Sequence, residues 1–166
     1  MVAGSFASSV HGLPRTTQDL DLVIDPPNLE TVERLVRVFE SSNQYVDRDA
    51  ARDAFRRRTM FNVIDPASGW KIDLIVRKAR PFSASEFARR YETTMLGVSV
   101  AIATAEDTVV AKLEWSKACG GSERQRRDVA GILEMNDASL DVAYIERWVR
   151  ELGLEHEWDA ARAVEP

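Results

Sequence analysis

The stretch that decides the fold is GSFASSVHGLPRTTQDLDLVI, Gly4 to Ile24. Its first half is a small-residue turn leading into a polar segment that carries His11 and Arg15. Its second half, DLDLVI, sets two aspartates one residue apart inside an apolar run. Successive side chains of a β-strand point to opposite faces, so Asp19 and Asp21 share one face of the strand predicted over Asp19 to Ile24. Carboxylates side by side repel each other. Such a pair persists where the face is well solvated or where a cation sits between the acids. Taken alone, the pair reads equally well as one solvated face of an edge strand.

On either side the elements follow from local rules. Gly4 and Ser5 end whatever strand Met1 to Ala3 belongs to, and Ser5 to Val10 is predicted as a short helix closed by Gly12. Pro26 and Pro27 stop the Asp19–Ile24 strand. Asn28 then suits the N-cap of LETVERLVRVFES, in which Leu29, Val32, Leu35, Val36 and Phe39 recur at helical spacing. A further helix is expected over Arg48 to Arg57. TMFNVIDPASGWKIDLIVR reads as a β-hairpin, two β-branched and aromatic runs separated by Asp65, Pro66, Ser68 and Gly69, with Asp73 inside the second run.

Beyond Arg80 the pattern turns helical. SASEFARRYE suggests a helix and VSVAIAT a short strand, and Thr104 with Asp107 opens TAEDTVVAKLEWSKA in the manner of a capping box. Gly120 and Gly121 break that helix. ERQRRDVAGILEM and LDVAYIERWVREL carry apolar stripes that mark core faces. Residues 1–103 are expected to form the core of the fold and residues 104–166 a helical region packed on it, with no flexible tether between them.

The bulk properties narrow the function. A chain of 166 residues with 45% hydrophobic side chains has enough apolar material for a buried core. A net charge of -5 argues against a general nucleic-acid coat and leaves nucleic acid open only as a reactant. One cysteine, Cys119, excludes an internal disulfide framework and a cysteine-based zinc site, which suits the cytoplasm. No signal peptide or membrane-spanning run is visible, so no membrane partner is expected.

Asp73 in KIDLIV sits among apolar neighbours as Asp19 and Asp21 do in DLDLVI. If the two strands adjoin, three carboxylates converge, and an all-oxygen set with few histidines favours a hard cation such as Mg²⁺ over zinc. Phosphoryl or nucleotidyl transfer is the chemistry that most needs this, because two metal ions hold the attacking and leaving oxygens and offset the charge of a triphosphate. Gly4 and Ser5 fit the scheme, since a glycine turn feeding a helix N-terminus lets backbone N–H groups approach phosphate oxygens. Asp73 turned away from the other two, or a lysine lodged among them, would remove this basis.

The order Gly4-Ser5, short helix, Asp19-x-Asp21 and a later Asp73 resembles the nucleotidyltransferase superfamily typified by DNA polymerase beta. More narrowly, A-S-x-x-H-G-x-x-R-x-T-x-D-L-D is similar to small bacterial nucleotidyltransferase-like proteins near the AbiEii toxin and lincosamide-modifying groups, as is AEDTVVAKLEWSKACGGSERQRRDVAGIL. The resemblance implies an α+β nucleotidyltransferase fold, a small mixed β-sheet flanked by helices and followed by a mostly helical C-terminal region. It also implies binding of a nucleoside triphosphate such as ATP with two Mg²⁺ ions, and transfer of NMP to a hydroxyl with release of pyrophosphate. Asp19 and Asp21 would bind both metals, and Asp73 the one nearest the acceptor, helping to deprotonate it. Gly4 and Ser5 would hold the terminal phosphates, Arg15 and Thr17 would line the same pocket, and Lys112 would add a charge from the helical region. Those proteins carry a helix and a full strand ahead of the Gly-Ser turn, where this chain has only Met1, Val2 and Ala3. A missing central strand would expose a sheet edge and invite pairing with another chain, such as a homodimer partner.

Other conspicuous residues read as structural. His11 is expected to pack or hydrogen-bond beneath the phosphate turn. Arg56, Arg57 and Arg58 read as a solvated helix end, and so do Arg124, Arg126 and Arg127, with Asp128 pairing one of that second set. Trp115, Trp148 and Trp158 read as core or interface aromatics. Two functions from different classes fit: an enzyme acting on a small molecule, an RNA end or a protein side chain, and a non-catalytic binding or regulatory protein on the same scaffold, for example in a toxin–antitoxin pair. Three mutually repelling carboxylates favour the enzyme.

Overall fold

The computed structural model describes residues 1–95, 97–136 and 138–164. In chain order the elements are α1 (Gly4–His11), β1 (Asp19–Ile24), α2 (Leu29–Ser41), β2 (Tyr45–Val46), α3 (Arg48–Arg57), β3 (Met60–Ile64), β4 (Lys71–Val76), α4 (Pro81–Arg89), β5 (Tyr91–Met95), β6 (Val98–Ile102), α5 (Ala105–Ala118), α6 (Glu123–Asn136), α7 (Val142–Leu152) and α8 (Glu155–Arg162). None of the described helices is long and apolar enough to cross a membrane.

The main sheet has the order β1-β4-β3-β2. β1 runs parallel to β4, whereas β3 is antiparallel to both β4 and β2. The sheet is therefore mixed. Alternation along β1 and β4 sends Leu22, Ile24, Ile72, Leu74 and Val76 to the face covered by α2 and α3, where Val32, Val36, Ala51 and Ala54 close the core. The aspartates occupy the opposite face. Asn28 caps α2 as expected, its side chain accepting from the Thr31 N–H at 2.9 Å.

β5 and β6 form a separate antiparallel hairpin, and the first three residues join it to the main sheet. The Val2 N–H donates to Ala101 O (2.7 Å) and Val2 O accepts from the Ala103 N–H (3.0 Å), while on the other side Ala3 N–H bonds Asp21 O (3.0 Å) and Val23 N–H bonds Met1 O (2.8 Å). The edge of β1 expected to lie open is thus paired along Asp21 to Val23, because three residues suffice to bridge the two ladders. The helix expected over SASEFARRYE also differs: α4 begins at Pro81, suited to a first helical turn, and ends at Arg89, after which Tyr91, Thr93 and Thr94 pair with β6.

Helices α5 to α8 enclose one apolar core with Phe82 of α4, containing Leu113, Ile132, Ile145, Trp148 and Trp158. Trp115 does not join it, being 56% exposed on the outer side of α5. At the start of α5, Thr104 Oγ1 accepts from the Asp107 N–H (3.2 Å) and donates to Asp107 Oδ2 (2.7 Å), the reciprocal cap expected of that pair. α1 packs between β1 and helices α5 and α6. Groups on the helical region are thereby brought to the acidic face.

Candidate functional site

The parallel pairing of β1 with β4 sets Asp21 opposite Asp73 and Asp19 opposite Lys71. β3 extends the same row by one residue, with Asn62 opposite Asp73. Asp21, Asp73 and Asn62 therefore stand side by side across three strands, and the Asn62 amide donates to Asp73 Oδ1. Asn62 was not singled out from the sequence. Its signal is the hairpin register, which puts it level with Asp73 once the turn is fixed.

Gly4 opens α1 directly over Asp21. Its φ of +58° lies in the left-handed region, and a Cβ there would fall 1.8 Å from Asp21 Oδ2. Only the missing side chain lets the carboxylate lie against this turn. Burial pushes the Asp21 carboxyl above its ordinary range, and the neighbouring Asp73 charge adds to this; the Ser5 backbone N–H beside it and the more distant Lys112 work the other way. The N-terminus of α1, expected to meet phosphate, is engaged here by an internal carboxylate.

Ser5 Oγ accepts from the Arg15 guanidinium. Arg15 Nε lies 3.2 Å from Asp128 Oδ1 but is not aligned to donate, leaving a buried donor without a hydrogen-bond partner among the described residues. Lys112 Nζ donates to the other oxygen of Asp128 at 2.5 Å, and both of these side chains are buried. Burial lowers the Lys112 ammonium, with Arg15 adding to the effect, while Asp128 opposes it. Asp128 therefore pairs with Lys112 and Arg15 and not with Arg124, Arg126 or Arg127, because it faces α5 and not solvent. Arg127 pairs instead with Glu123.

The structure thus sets Gly4 and Ser5 against Asp21, Arg15 against Ser5, and Lys112 behind Arg15 on their shared partner Asp128. Thr17 stands apart from that cluster: its hydroxyl is committed to the Asp19 backbone, accepting from the N–H at 3.2 Å and shaping the turn into β1. His11 Nε2 lies 2.7 Å from Ala103 O, tying the end of α1 to the end of β6. That is the structural part expected of it. Of the first arginine run, Arg58 adopts a left-handed conformation that ends α3, and its guanidinium donates to Arg77 O (2.7 Å).

One side chain intrudes on the acidic row. Lys71 Nζ lies 3.1 Å from Asp73 Oδ2 and 3.6 Å from Asp19 Oδ1. Its own burial works against the charge, but the hydrogen bond and charge of Asp73, and then Asp19, raise its pKa on balance. A lysine among the acids is the arrangement said above to remove the basis for a metal site, and with the side chains as they stand it fills the gap between Asp19 and Asp73. Among the described residues no three acidic, histidine or cysteine side chains stand close enough to hold one ion as they are placed. The donor set still suits a hard cation, since it is carboxylate oxygen throughout and already attracts a positive group to the gap between Asp19 and Asp73.

No protein-family model matches the chain, and neither does any curated protein. Solved structures do. The antibiotic-resistance factor ANT(2″)-Ia, a nucleotidyltransferase, is similar over 96% of this chain and 86% of its own, with a TM-score of 0.58 and 13% sequence identity. The chain accordingly has an α+β, nucleotidyltransferase-like fold, a small mixed sheet with helices followed by a helical C-terminal region.

Proposed function

We propose that this protein is a Mg²⁺-dependent nucleotidyltransferase that moves NMP from a nucleoside triphosphate to a hydroxyl acceptor and releases pyrophosphate. The carrying observation is the facing pair Asp21 and Asp73, set in register under Gly4 in a fold of this kind. Asp19 and Asp21 would hold both ions and Asp73 the one on the acceptor side, once the Lys71 ammonium gives way. When bound, the ions offset the charge of the triphosphate and lower the pKa of the acceptor hydroxyl.

The chain's own residues supply the rest. Arg15, which reaches Ser5 and has an orphaned Nε, would offer positive charge where the terminal phosphates would sit, with Lys112 as a buried charge behind it. Asp128 pairs with both cations. Asp73, bonded by Asn62, would help to take the acceptor proton. Membership of the group near the AbiEii toxin and lincosamide-modifying proteins is the narrower form of the proposal. The acceptor is a small molecule, an RNA end or a protein side chain.

The test is incubation with Mg²⁺ and each NTP labelled at the α-phosphate, with cell extract as acceptor, beside Asp21→Asn. Label transferred by the native protein and lost in the variant supports the reading. Equal labelling by the two removes it. The position of Lys71 favours a second reading, a non-catalytic binding or regulatory protein in which the ammonium is a permanent counter-charge, as in a toxin–antitoxin partner; it predicts no transfer by either protein.

A further inference from the structure

Among the described residues Lys71 is the one cation in direct contact with two of the three acids, and it enters from β4 itself, two residues before Asp73 on the same face. Its side chain is 35% exposed and that of Asp19 is 54% exposed, so the contact is open to water on one side. Carboxylates on one sheet face repel each other, and an ammonium lying between Asp19 and Asp73 relieves part of that repulsion. The two carboxylates are the ion-pair partners of the lysine head among the described residues. The Lys112 head contrasts with it, buried and clamped by Asp128. One lysine is locked in place and the other is free to swing out on a four-carbon stem.

We infer that Lys71 is an exchangeable counter-cation: its ammonium holds the place between Asp19 and Asp73 until a divalent ion displaces it. This rests on the carboxylate site proposed above and adds a residue that sets its metal affinity. The exchange is a competition of cations for the same oxygens. A divalent ion wins because it carries twice the charge and takes several oxygens at once, while the lysine loses only partly solvated ion pairs of the kind that contribute little. The competition still lowers the apparent affinity for the ion. Removing the ammonium while keeping the stem removes the competitor without opening a hole.

The test is Mn²⁺ binding to the nucleotide-free protein, read by the loss of free-ion electron paramagnetic resonance signal, for the native chain, Lys71→Met, Lys71→Arg and Asp21→Asn, with far-ultraviolet circular dichroism confirming that each is folded. Lys71→Met should bind about tenfold more tightly than the native protein, the upper range expected for release of two partly exposed ion pairs. Lys71→Arg should bind no more tightly than the native protein, since the charge is kept. Unchanged or weaker binding by Lys71→Met, with native binding that Asp21→Asn abolishes, would overturn this inference and leave the carboxylate site standing. Binding absent from both the native protein and Lys71→Met, or binding indifferent to Asp21→Asn, would overturn the carboxylate site and this inference with it.

Discussion

Gly4→Ala tests the geometry on which the site depends. Two penalties act at this position and they can be separated. The first is backbone: a φ of +58° in a residue with a Cβ costs about 1–2 kcal/mol, offset by about 0.4–1 kcal/mol from the smaller freedom of the unfolded chain. The second is steric. The new Cβ would lie 1.8 Å from Asp21 Oδ2, 2.5 Å from Cγ and 2.8 Å from Cβ, so the carboxylate must move off the turn. Overpacking of this kind costs about 1–3 kcal/mol, which brings the total to roughly 3 kcal/mol.

Gly69 supplies the control, with φ +73° and nothing within 4 Å of the place a methyl group would occupy. Gly69→Ala carries the backbone penalty alone and should cost about 1 kcal/mol or less. Urea unfolding followed by circular dichroism at neutral pH measures both. In an Asp21→Ala background most of the excess for Gly4→Ala should vanish, because the two atoms nearest the new methyl are gone. If Gly4→Ala costs no more than Gly69→Ala, or if its excess survives in Asp21→Ala, then Asp21 does not lie against this turn and the site as described is wrong.

Three further outcomes follow from the packing. Burial pushes Glu86 up to about 7 from an ordinary 4.5, helped by Asp107 and Glu114; because the folded state then binds the proton more tightly than the unfolded chain, stability is full below the ordinary value and falls as pH rises through about 7, by about 3 kcal/mol in all. Glu86→Gln should flatten that decline, visible as urea midpoints that match on either side of the window. Tyr144→Phe removes the hydroxyl donor, 2.5 Å away, from the fully buried Asp107 and should cost about 1–3 kcal/mol in the same assay. Asp128→Asn leaves the Lys112 ammonium buried without its anion, a loss of about 3–5 kcal/mol, and the double variant Lys112→Met with Asp128→Asn should recover part of it; full additivity of the two substitutions would refute the pairing.

How far each feature was legible depends on the range over which its cause acts. Asn28 and Thr104 cap helices through bonds to residues three positions on, and a period of two places Asp19 with Asp21, so these need no knowledge of distant chain. Asp128 was misread for the same reason. Its nearest cations in sequence are arginines of its own helix, and only the packing of α6 on α5 turns it toward Lys112. β5 was hidden because SASEFARRYE keeps a helical pattern up to the point where Tyr91 finds a partner in β6. Trp115 lies on a helix whose buried residues fall nearly all round, where spacing does not reveal which side faces solvent. Lys71 is the instructive case, since the alternation that groups Asp19 with Asp21 also groups Lys71 with Asp73, and KIDLIV displays it.

The charges on the acidic face are balanced in three different ways, and the differences bear on function. Asp21 lies against the start of α1, partly buried beneath Gly4. Asp73 is held by the Asn62 amide on one side and Lys71 on the other. Asp19 has Lys71 and the Thr17 turn, and more than half of its side chain meets solvent. A face serving stability alone would be better filled by apolar side chains, since buried charge pairs seldom repay their desolvation. The acidic face instead runs from the buried Asp73 and half-buried Asp21 to the exposed Asp19, with the Lys71 ammonium between Asp73 and Asp19. In the reading proposed above, the exposed Asp19 is the side from which a divalent ion would enter without rearranging the Gly4 turn.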